Sequence, residues 1–448
     1  MAVEATVKTF GEIGQNWIVE LVADQQRHDQ VNLLYWDGSK EKIQKSLILS
    51  LHGGKDRAIY QPEEINSSIL RAIYLPDHVA PYGSTRQLFD ELCLTLKRFA
   101  PLTDHHVALL AYAVLASWVV ESTDIPICAA LVGSGGLERR QLFRLLYCLF
   151  RRALILSSPN LASLSALPME LTPSLLIECC EPGAALRAFL HATGSRESHF
   201  IVKGRLLHFC SAKVLCIDLP LNHSLGDCPV LEISIAPIKS SMPFLDHRTQ
   251  LKILEEFQPK LLMYRLMNLA RVRDLHCDCV ELDTSLADVT NCLASSAADD
   301  AELQRSVTEL MKKQEADSSA ASGGFLRKTV LEALLTLCHK ATQNTLTAGE
   351  IARAANQLLK GKGEILTLEA RAVGDILRSL RIPTERLGAQ GRGLVLLLDI
   401  RKRLHAIAMD HGINLGYTAP GDCPICLEMD PGVQGPLEDL RPEELDRL

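Results

Sequence analysis

A glycine-rich turn at residues 133–136 stands in the setting in which many proteins bind phosphate groups. The apolar run Ile127–Val132 predicts a buried strand, Gly133-Ser134-Gly135-Gly136 predicts the turn, and a helical pattern begins at Glu138. Backbone amides of such a turn, together with the N-terminus of the following helix, attract phosphate. The placement of the turn therefore indicates a nucleotide site.

The residue types after the turn depart from those of a working nucleotide site. Started at Gly133, the pattern G-x-x-x-x-G-K-[ST] reaches its last three positions at Glu138, Arg139 and Arg140. The Lys that meets the β- and γ-phosphates and the hydroxyl that holds Mg²⁺ are missing there. Arg139 supplies positive charge but is bulkier than Lys, and Glu138 repels phosphate. The pattern favours a retained glycine turn and disfavours ATP and Mg²⁺ as cofactors.

The surrounding sequence, residues 122–240, alternates short apolar runs with helical patterns. Helices are predicted over Glu138–Arg152 and Ala184–Ala192. Strands are predicted over Ile127–Val132, Ala153–Leu156, Ser174–Ile177, Lys213–Ile217 and Val230–Ile235. Near-continuous apolar strands separated by helices are typical of a parallel sheet covered on both faces. The predicted fold class is α/β.

Two short motifs precede this region and give it a family resemblance. They are Ile73-Tyr74-Leu75-Pro76 and Pro81-Tyr82-Gly83-Ser84-Thr85. With them, the stretch Glu63–Pro237 resembles the helicase-like ATPases of phage and plasmid primase-helicase proteins, a branch of the AAA+ and P-loop NTPases. The resemblance implies a P-loop NTPase-like sheet and a chain related to DNA-dependent motors.

Carried over residue by residue, the resemblance places the Walker B strand on Leu175-Leu176-Ile177-Glu178-Cys179. Glu178 keeps a carboxylate for Mg²⁺, whereas Cys179 replaces the Glu that would polarise the attacking water. Asp218 falls near the sensor position, and the later Asp-Arg pair falls on Asp227-Cys228, without the arginine. Because these losses affect one reaction, the resemblance implies a pseudo-ATPase in which Glu178 and Asp218 are vestigial.

The C-terminal part of the chain differs in charge from the rest. Between Leu326 and His411 there are fourteen Lys and Arg residues against eight Asp and Glu residues, although the whole chain carries a net charge of −7. Three helical patterns followed by a β-ribbon predict a winged helix at residues 325–412. A basic module on an acidic body indicates a surface that faces DNA.

Five arginines are the candidate DNA-binding residues of this module. The predicted recognition helix, Leu366–Leu380, carries two of them at positions i and i+7, and the others border the predicted wing. Arginines in these places contact phosphates and base edges. The five are Arg371, Arg378, Arg381, Arg386 and Arg392. A solvated basic face of a protein-binding winged helix is the alternative.

The motif Cys423-Pro424-Ile425-Cys426 is half of a zinc knuckle. Two thiolates at this spacing can share one tetrahedral ion, which needs two further ligands. His405 and His411 lie upstream and are candidates for these ligands. A zinc site on Cys423 and Cys426 is thus one interpretation; the alternatives are a free or redox-active pair of thiols, or cysteines that only form part of a turn.

The chain has 448 residues, too many for one ordinary core. Its start lacks the pattern of a signal peptide, and its longest apolar stretch, Val107–Val120, is short of the roughly 20 residues that span a bilayer. We expect a cytoplasmic location without membrane contact. The expected segments are a β-rich segment at 1–80, the P-loop-like core at 81–240, a helical region at 241–315, a linker at 316–324, the winged helix at 325–412 and a tail at 413–448.

These features together predict a DNA-binding, helicase-like protein of a mobile element or a replication or defence locus, with a degenerate ATPase site and a scaffold or loader role. DNA is the expected partner, with a homo-oligomer or an assembly with an active ATPase as further possibilities. One alternative is an active helicase that uses Arg139 and Glu178 in an unconventional loop. A second is a winged-helix transcription regulator.

Overall fold

The computed structural model describes most of the chain and divides it into two compact units. The first comprises residues 1–221 and 225–315, and the second residues 222–224 and 316–448. The described residues are 5–27, 29–51, 56–133, 136–178, 186, 188–190, 193–194, 199–202, 205–208, 210–217, 229–236, 242–273, 275, 284–340, 345–362, 364, 366–380, 382–387, 391–410, 413 and 425.

The described part of the first unit begins with two small β-sheets. Strands β2 to β5 form an antiparallel sheet in sequence order, and the other sheet has the order β1-β7-β6. All six residues of β3 are buried, because this strand is packed on both faces. The strands are β1 (Ala5–Thr9), β2 (Gly11–Ile13), β3 (Ile18–Ala23), β4 (Val31–Trp36), β5 (Glu41–Gln44), β6 (Leu47–Leu51) and β7 (Asp56–Pro62).

Three helices follow, α1 (Ser67–Ala72), α2 (Thr85–Phe99) and α3 (Asp104–Trp118). The Ser84 hydroxyl caps α2 by accepting the Gln87 backbone N–H at 3.1 Å. The apolar residues of α2 are three or four positions apart, so they share one face of the helix, and this face packs on the core. Helix α3 is apolar on nearly all sides and is therefore buried along most of its length.

A five-stranded parallel sheet forms the centre of the first unit, which confirms the α/β class. Its order is β14-β8-β13-β10-β9, and every pair is parallel. The strands are β8 (Cys128–Val132), β9 (Leu154–Ser157), β10 (Leu175–Glu178), β13 (Lys213–Ile217) and β14 (Leu231–Ser234). An antiparallel hairpin, β11 (His199–Val202) and β12 (Arg205–His208), lies between β10 and β13 in the sequence. All residues of β8 and β13 are buried, as their unbroken apolar sequences predict.

Further helices of the first unit are α4 (Gly136–Leu149), α5 (Leu161–Ser165), α6 (His247–Arg273), α7 (Thr284–Ser295) and the start of α8 (Ala301–Lys340). Helix α6 buries a large apolar face that includes Phe257 and Leu261. No helix in the described part of the chain is both long enough and apolar enough to cross a membrane.

The second unit contains the end of α8, then β15 (Thr345–Thr347), α9 (Ala348–Gly361), α10 (Ala370–Ser379), β16 (Glu385–Arg386), β17 (Arg392–Val395) and α11 (Leu398–Asp410). Its three strands pair antiparallel in the order β15-β17-β16. Residues 316–324, expected as an irregular linker, continue the helix α8, and the boundary between the units falls at their start. The alanines of this tract favour helix, and two adjacent glycines do not interrupt it.

A buried ion cluster joins three parts of the first unit. Glu20 of β3 is 2% exposed and lies 2.8 Å from Arg151 Nη2 and 2.7 Å from Arg265 Nε of α6, and it also contacts Arg152. Glu121 binds the other sides of Arg151 and Arg265, at 2.8 Å and 2.7 Å. Arg151 and Arg152 are each 3% exposed, although a run of arginines along a helix and its exit is typical of a solvated basic face. They lie just after α4 and point into the core.

Attraction between the opposite charges of the cluster offsets the free-energy cost of burying them. Burial raises the pKa of Glu20, but the three arginines outweigh it and hold its pKa at about 2. Burial and the charge of Arg151 lower the pKa of Arg152 to about 9, although Glu20 opposes them. Burial lowers the pKa of Arg265, and Glu121 and Glu20 more than restore it. Glu20, Arg152 and Arg265 are therefore charged at neutral pH.

We expect Glu20→Gln to destabilise the first unit by about 3–5 kcal/mol, because three buried guanidinium groups lose their shared carboxylate. The pKa of Glu20 is lowered on folding, so its contribution is present at neutral pH and is lost as the pH falls from about 5 to about 2. Urea unfolding measured across this pH range tests both statements. Glu41→Gln on the exposed strand β5 is the control and should change stability little. Equal stability of the two variants at neutral pH would contradict the prediction.

Candidate functional site

The glycine-rich turn lies at the point where the strand order of the parallel sheet reverses. After β8 the chain crosses to β9 at the far edge of the sheet, and after β13 it crosses β8 to reach β14. Ligands of open α/β sheets bind in the crevice outside the carboxyl ends of the strands at such a point. Gly133 follows β8, and its backbone N–H donates to the Ile217 carbonyl at the end of β13 at 3.3 Å. Gly133 therefore lies at the edge of the sheet where ligands of this class of fold bind.

The connection between β8 and α4 is short, and its described residue, Gly133, is closely packed. Strand β8 ends at Val132 and α4 begins at Gly136, so three residues connect them. Gly133 has a φ of +157°, and a Cβ built on it would lie 3.0 Å from the Ile235 carbonyl oxygen. Its N–H is directed at the neighbouring strand. This amide is therefore used by the sheet and not presented to a ligand.

Arg139 and Glu138, at two of the three positions where the P-loop pattern needs Gly-Lys-Ser/Thr, lie in the first turn of α4. Both side chains are half-buried, and each makes an interaction within the protein. A carboxylate such as Glu138 is stabilised by the positive end of the helix dipole, which is the place that a phosphate would otherwise take. Ser134 and Gly135 lie outside the described residues.

Glu178 ends β10 at the same edge of the sheet as the glycine turn. Its Cα pairs with Cys216 of β13 and Ser157 of β9, and its side chain is exposed. One strand, β13, separates β10 from β8, so the backbones of β10 and β8 are roughly 10 Å apart at this edge. Asp218, Cys179, Asp227 and Cys228 lie outside the described residues. The carboxylate assigned to Walker B is therefore near the turn, two strands away.

Helix α10 of the second unit presents arginines on the side opposite its buried residues. Val373 and Leu377 are fully buried, whereas Arg371 and Arg378 are exposed. Arg378 Nη1 pairs with Asp375 Oδ1 at 2.9 Å, and both side chains are more than half exposed. Exposed pairs of this kind contribute little and exchange readily for another anion. Two of the predicted DNA-binding residues are thus on one accessible helix face.

The hairpin that follows α10 brings two further predicted arginines directly together. Arg386 of β16 and Arg392 of β17 are register partners and both are exposed. Directly opposed residues of an antiparallel pair have side chains on the same face with Cβ atoms about 5 Å apart. The sequence predicts each arginine as a DNA-binding residue from its place near the wing. It does not predict that the two lie directly opposite each other, because that depends on the strand register. Arg381 lies outside the described residues.

The described residues provide no group of three metal-ligating side chains. Cys423 and Cys426 lie outside them. Of the upstream histidines, His405 is fully buried, and its Nδ1 donates to the Arg401 carbonyl at 2.7 Å. Its Nε2 then accepts from His339 Nε2 at 2.9 Å. Both ring nitrogens are engaged inside the second unit, so His405 is not placed as a zinc ligand.

Proteins similar to this chain are found among solved structures. No family model and no curated protein matches the chain. The apo A form of the NrS-1 C-terminal region is similar with 11% identity over 84% of this chain and 96% of that chain, at a TM-score of 0.33. A full-length MCM homolog from Methanopyrus kandleri is similar with 13% identity over 66% of this chain and 76% of that chain, also at a TM-score of 0.33. Both TM-scores are below the level that marks a shared fold.

The two described glycines of the turn should respond differently to an added methyl group. Gly133→Ala places a Cβ against the backbone at residue 235 in an unfavourable conformation, and we expect it to cost about 1–3 kcal/mol. Gly136→Ala meets open space at the start of α4 and should leave stability unchanged or raise it by up to about 1 kcal/mol. Denaturant unfolding of the two variants beside the parent chain tests this. Equal effects would show that the close approach at Gly133 is incorrect.

Proposed function

We propose that this chain is a DNA-binding, helicase-like protein of a mobile element or a replication or defence locus. Its second unit acts as a winged helix that binds duplex DNA, and the sheet of its first unit is a scaffold or loader body with a degenerate ATPase site. The observation that carries the proposal is the cross-strand pair Arg386 and Arg392.

Two like charges directly opposite each other destabilise a β-hairpin. Neither Arg386 nor Arg392 has a carboxylate partner among the residues that the structure describes. A phosphate group placed between the two guanidinium groups removes the repulsion and accepts hydrogen bonds from both. The pair therefore destabilises the hairpin of the free protein and stabilises the hairpin when it is bound to a polyanion. This combination is expected of a wing that binds phosphate groups.

The neighbouring elements support the same proposal. The second unit has the order helix, strand, helix, helix and hairpin, which is the order expected of a winged helix. Helix α10 precedes the hairpin and exposes Arg371 and Arg378, as a recognition helix would. The excess of basic over acidic residues in this region supplies a long-range attraction to DNA.

The first unit supports a scaffold role for the sheet. The turn at Gly133 stands at the switch point, so a nucleotide-binding ancestor explains its position. Its first amide is bonded to Ile217, and Glu138 and Arg139 stand where the Gly and Lys of the pattern would be. The apolar strands β8 and β13 stay buried whether or not a nucleotide is bound, so the sheet keeps its stability at roughly 25 cal/mol per Å² of buried apolar surface.

We expect the double variant Arg386→Gln, Arg392→Gln to bind duplex DNA more weakly and with a smaller salt dependence. Each lost phosphate contact should reduce the slope of log K against log salt by about 1. The same variant should be as stable as the parent chain or more stable by a few tenths of a kcal/mol, because a like-charge pair is removed. Anisotropy of a labelled duplex across a salt series, with thermal unfolding in parallel, measures both effects.

Arg57→Gln is the matched control, because Arg57 is an exposed strand arginine of the first unit. It should leave the salt dependence unchanged. An affinity of the parent chain that does not vary with ionic strength would contradict DNA binding. Strong preference for one duplex sequence would instead favour a transcription regulator.

We expect no ATP turnover above background by the purified chain, with or without single-stranded DNA. The reason is the loss of the Lys, the hydroxyl and the catalytic Glu from the positions that a P-loop site requires. Phosphate release by the parent chain, Arg139→Ala and Glu178→Ala measures this. DNA-stimulated turnover that disappears in both variants would establish a working helicase-type motor and overturn the degenerate site.

A further inference from the structure

A small, partly open cavity borders the buried ion cluster of the first unit. Its volume is about 10 Å³, and it lies where β3, the segment 74–76, α6 and the residues after α4 meet. Its lining includes Arg151 and Gln258, which are 3% and 1% exposed. A space of this size accommodates about one water molecule when its walls offer polar partners.

Two polar atoms of these lining residues have no partner within the protein. The Arg151 guanidinium uses Nη1 on Glu121 and Thr172 and Nη2 on Glu20, while Nε is buried with no acceptor. Gln258 donates through Nε2 to the carbonyls of Cys148 and Phe150, while Oε1 is buried with no donor. One residue therefore lacks an acceptor and the other lacks a donor.

The chemistry of these two atoms selects the ligand. A bridging group must accept from Arg151 Nε–H and donate to Gln258 Oε1. Water does both, and at this size it is the one common ligand that does. An anion satisfies the arginine but faces the Gln258 oxygen and the carboxylate of Glu20, which also lines the cavity, and a metal cation faces the guanidinium group.

We propose that this cavity is a binding site for a single structural water molecule. The water accepts from Arg151 Nε–H and donates to Gln258 Oε1, and it completes the hydrogen bonding of the ion cluster. It connects Arg151 to α6 at Gln258, in addition to the direct ion pairs that involve Arg265 of that helix. The segment Tyr74-Leu75-Pro76, one of the sequence motifs of this chain, is a wall of the site.

A high-resolution crystal structure of the full chain, with a parallel crystal soaked in bromide, tests the proposal. The expected result is one peak within hydrogen-bond distance of Arg151 Nε and Gln258 Oε1, without anomalous signal after the soak. An anomalous bromide peak would show an anion site, and an absence of density would show a dry cavity. Either of these two results overturns the proposal.

Oxygen-17 relaxation dispersion, which counts long-lived internal waters in solution, provides a second measurement. Gln258→Met removes the acceptor while keeping the side-chain length, and we expect one long-lived water fewer than in the parent chain. Gln314→Met is the matched control, since both amide atoms of this buried glutamine already have protein partners, His105 and the Glu232 carbonyl. An unchanged count in Gln258→Met, or an equal loss in Gln314→Met, contradicts the site.

Discussion

The structure of the first unit depends on the ionic contact between Glu20 and three arginines. A carboxylate that is 2% exposed cannot remain charged in a protein interior without such partners. The strand β3, the residues after α4 and the long helix α6 each contribute to the contact. Displacement of β3 takes Glu20 away from all three arginines, although Glu121 still pairs with Arg151 and Arg265. The N-terminal sheet, the parallel sheet and the helical region are thereby held in one arrangement.

Because of this ionic contact, the stability of the first unit does not depend on the residues after Gly133 at the carboxyl edge of the parallel sheet. The ion cluster and the apolar strands β8 and β13 hold the sheet together without a nucleotide. Glu138 suits the start of a helix better than it suits a phosphate site, because it complements the helix dipole. The stability of the sheet therefore places no requirement on the residues after Gly133, as the proposed degenerate site needs.

In the second unit, local stability and binding oppose each other. Val373 and Leu377 fix α10 on the core, so its arginines are held outward. Arg386 and Arg392 repel each other across the hairpin, which a polyanion would relieve. The excess of positive charge in this region would draw DNA toward the hairpin and helix from a distance and weaken with salt. The proposed DNA binding would relieve this repulsion, so the same pair that weakens the hairpin would strengthen the complex.

The sequence by itself determined the local elements and the class of the fold. Unbroken apolar runs such as Lys213–Ile217 fixed the buried strands, and glycines with a following helical pattern fixed the turn after β8. The sequence predicts a linker at residues 316–324, where the structure has part of helix α8. The reason is that serines and glycines are also typical of flexible linkers. Only the tertiary structure decided which charged side chains are buried and which of them lie next to each other. Arg151 and Arg152 look like surface residues until Glu20, more than 130 positions earlier, is brought beside them. The opposition of Arg386 and Arg392 likewise depends on strand register, which residue types at separate positions do not specify.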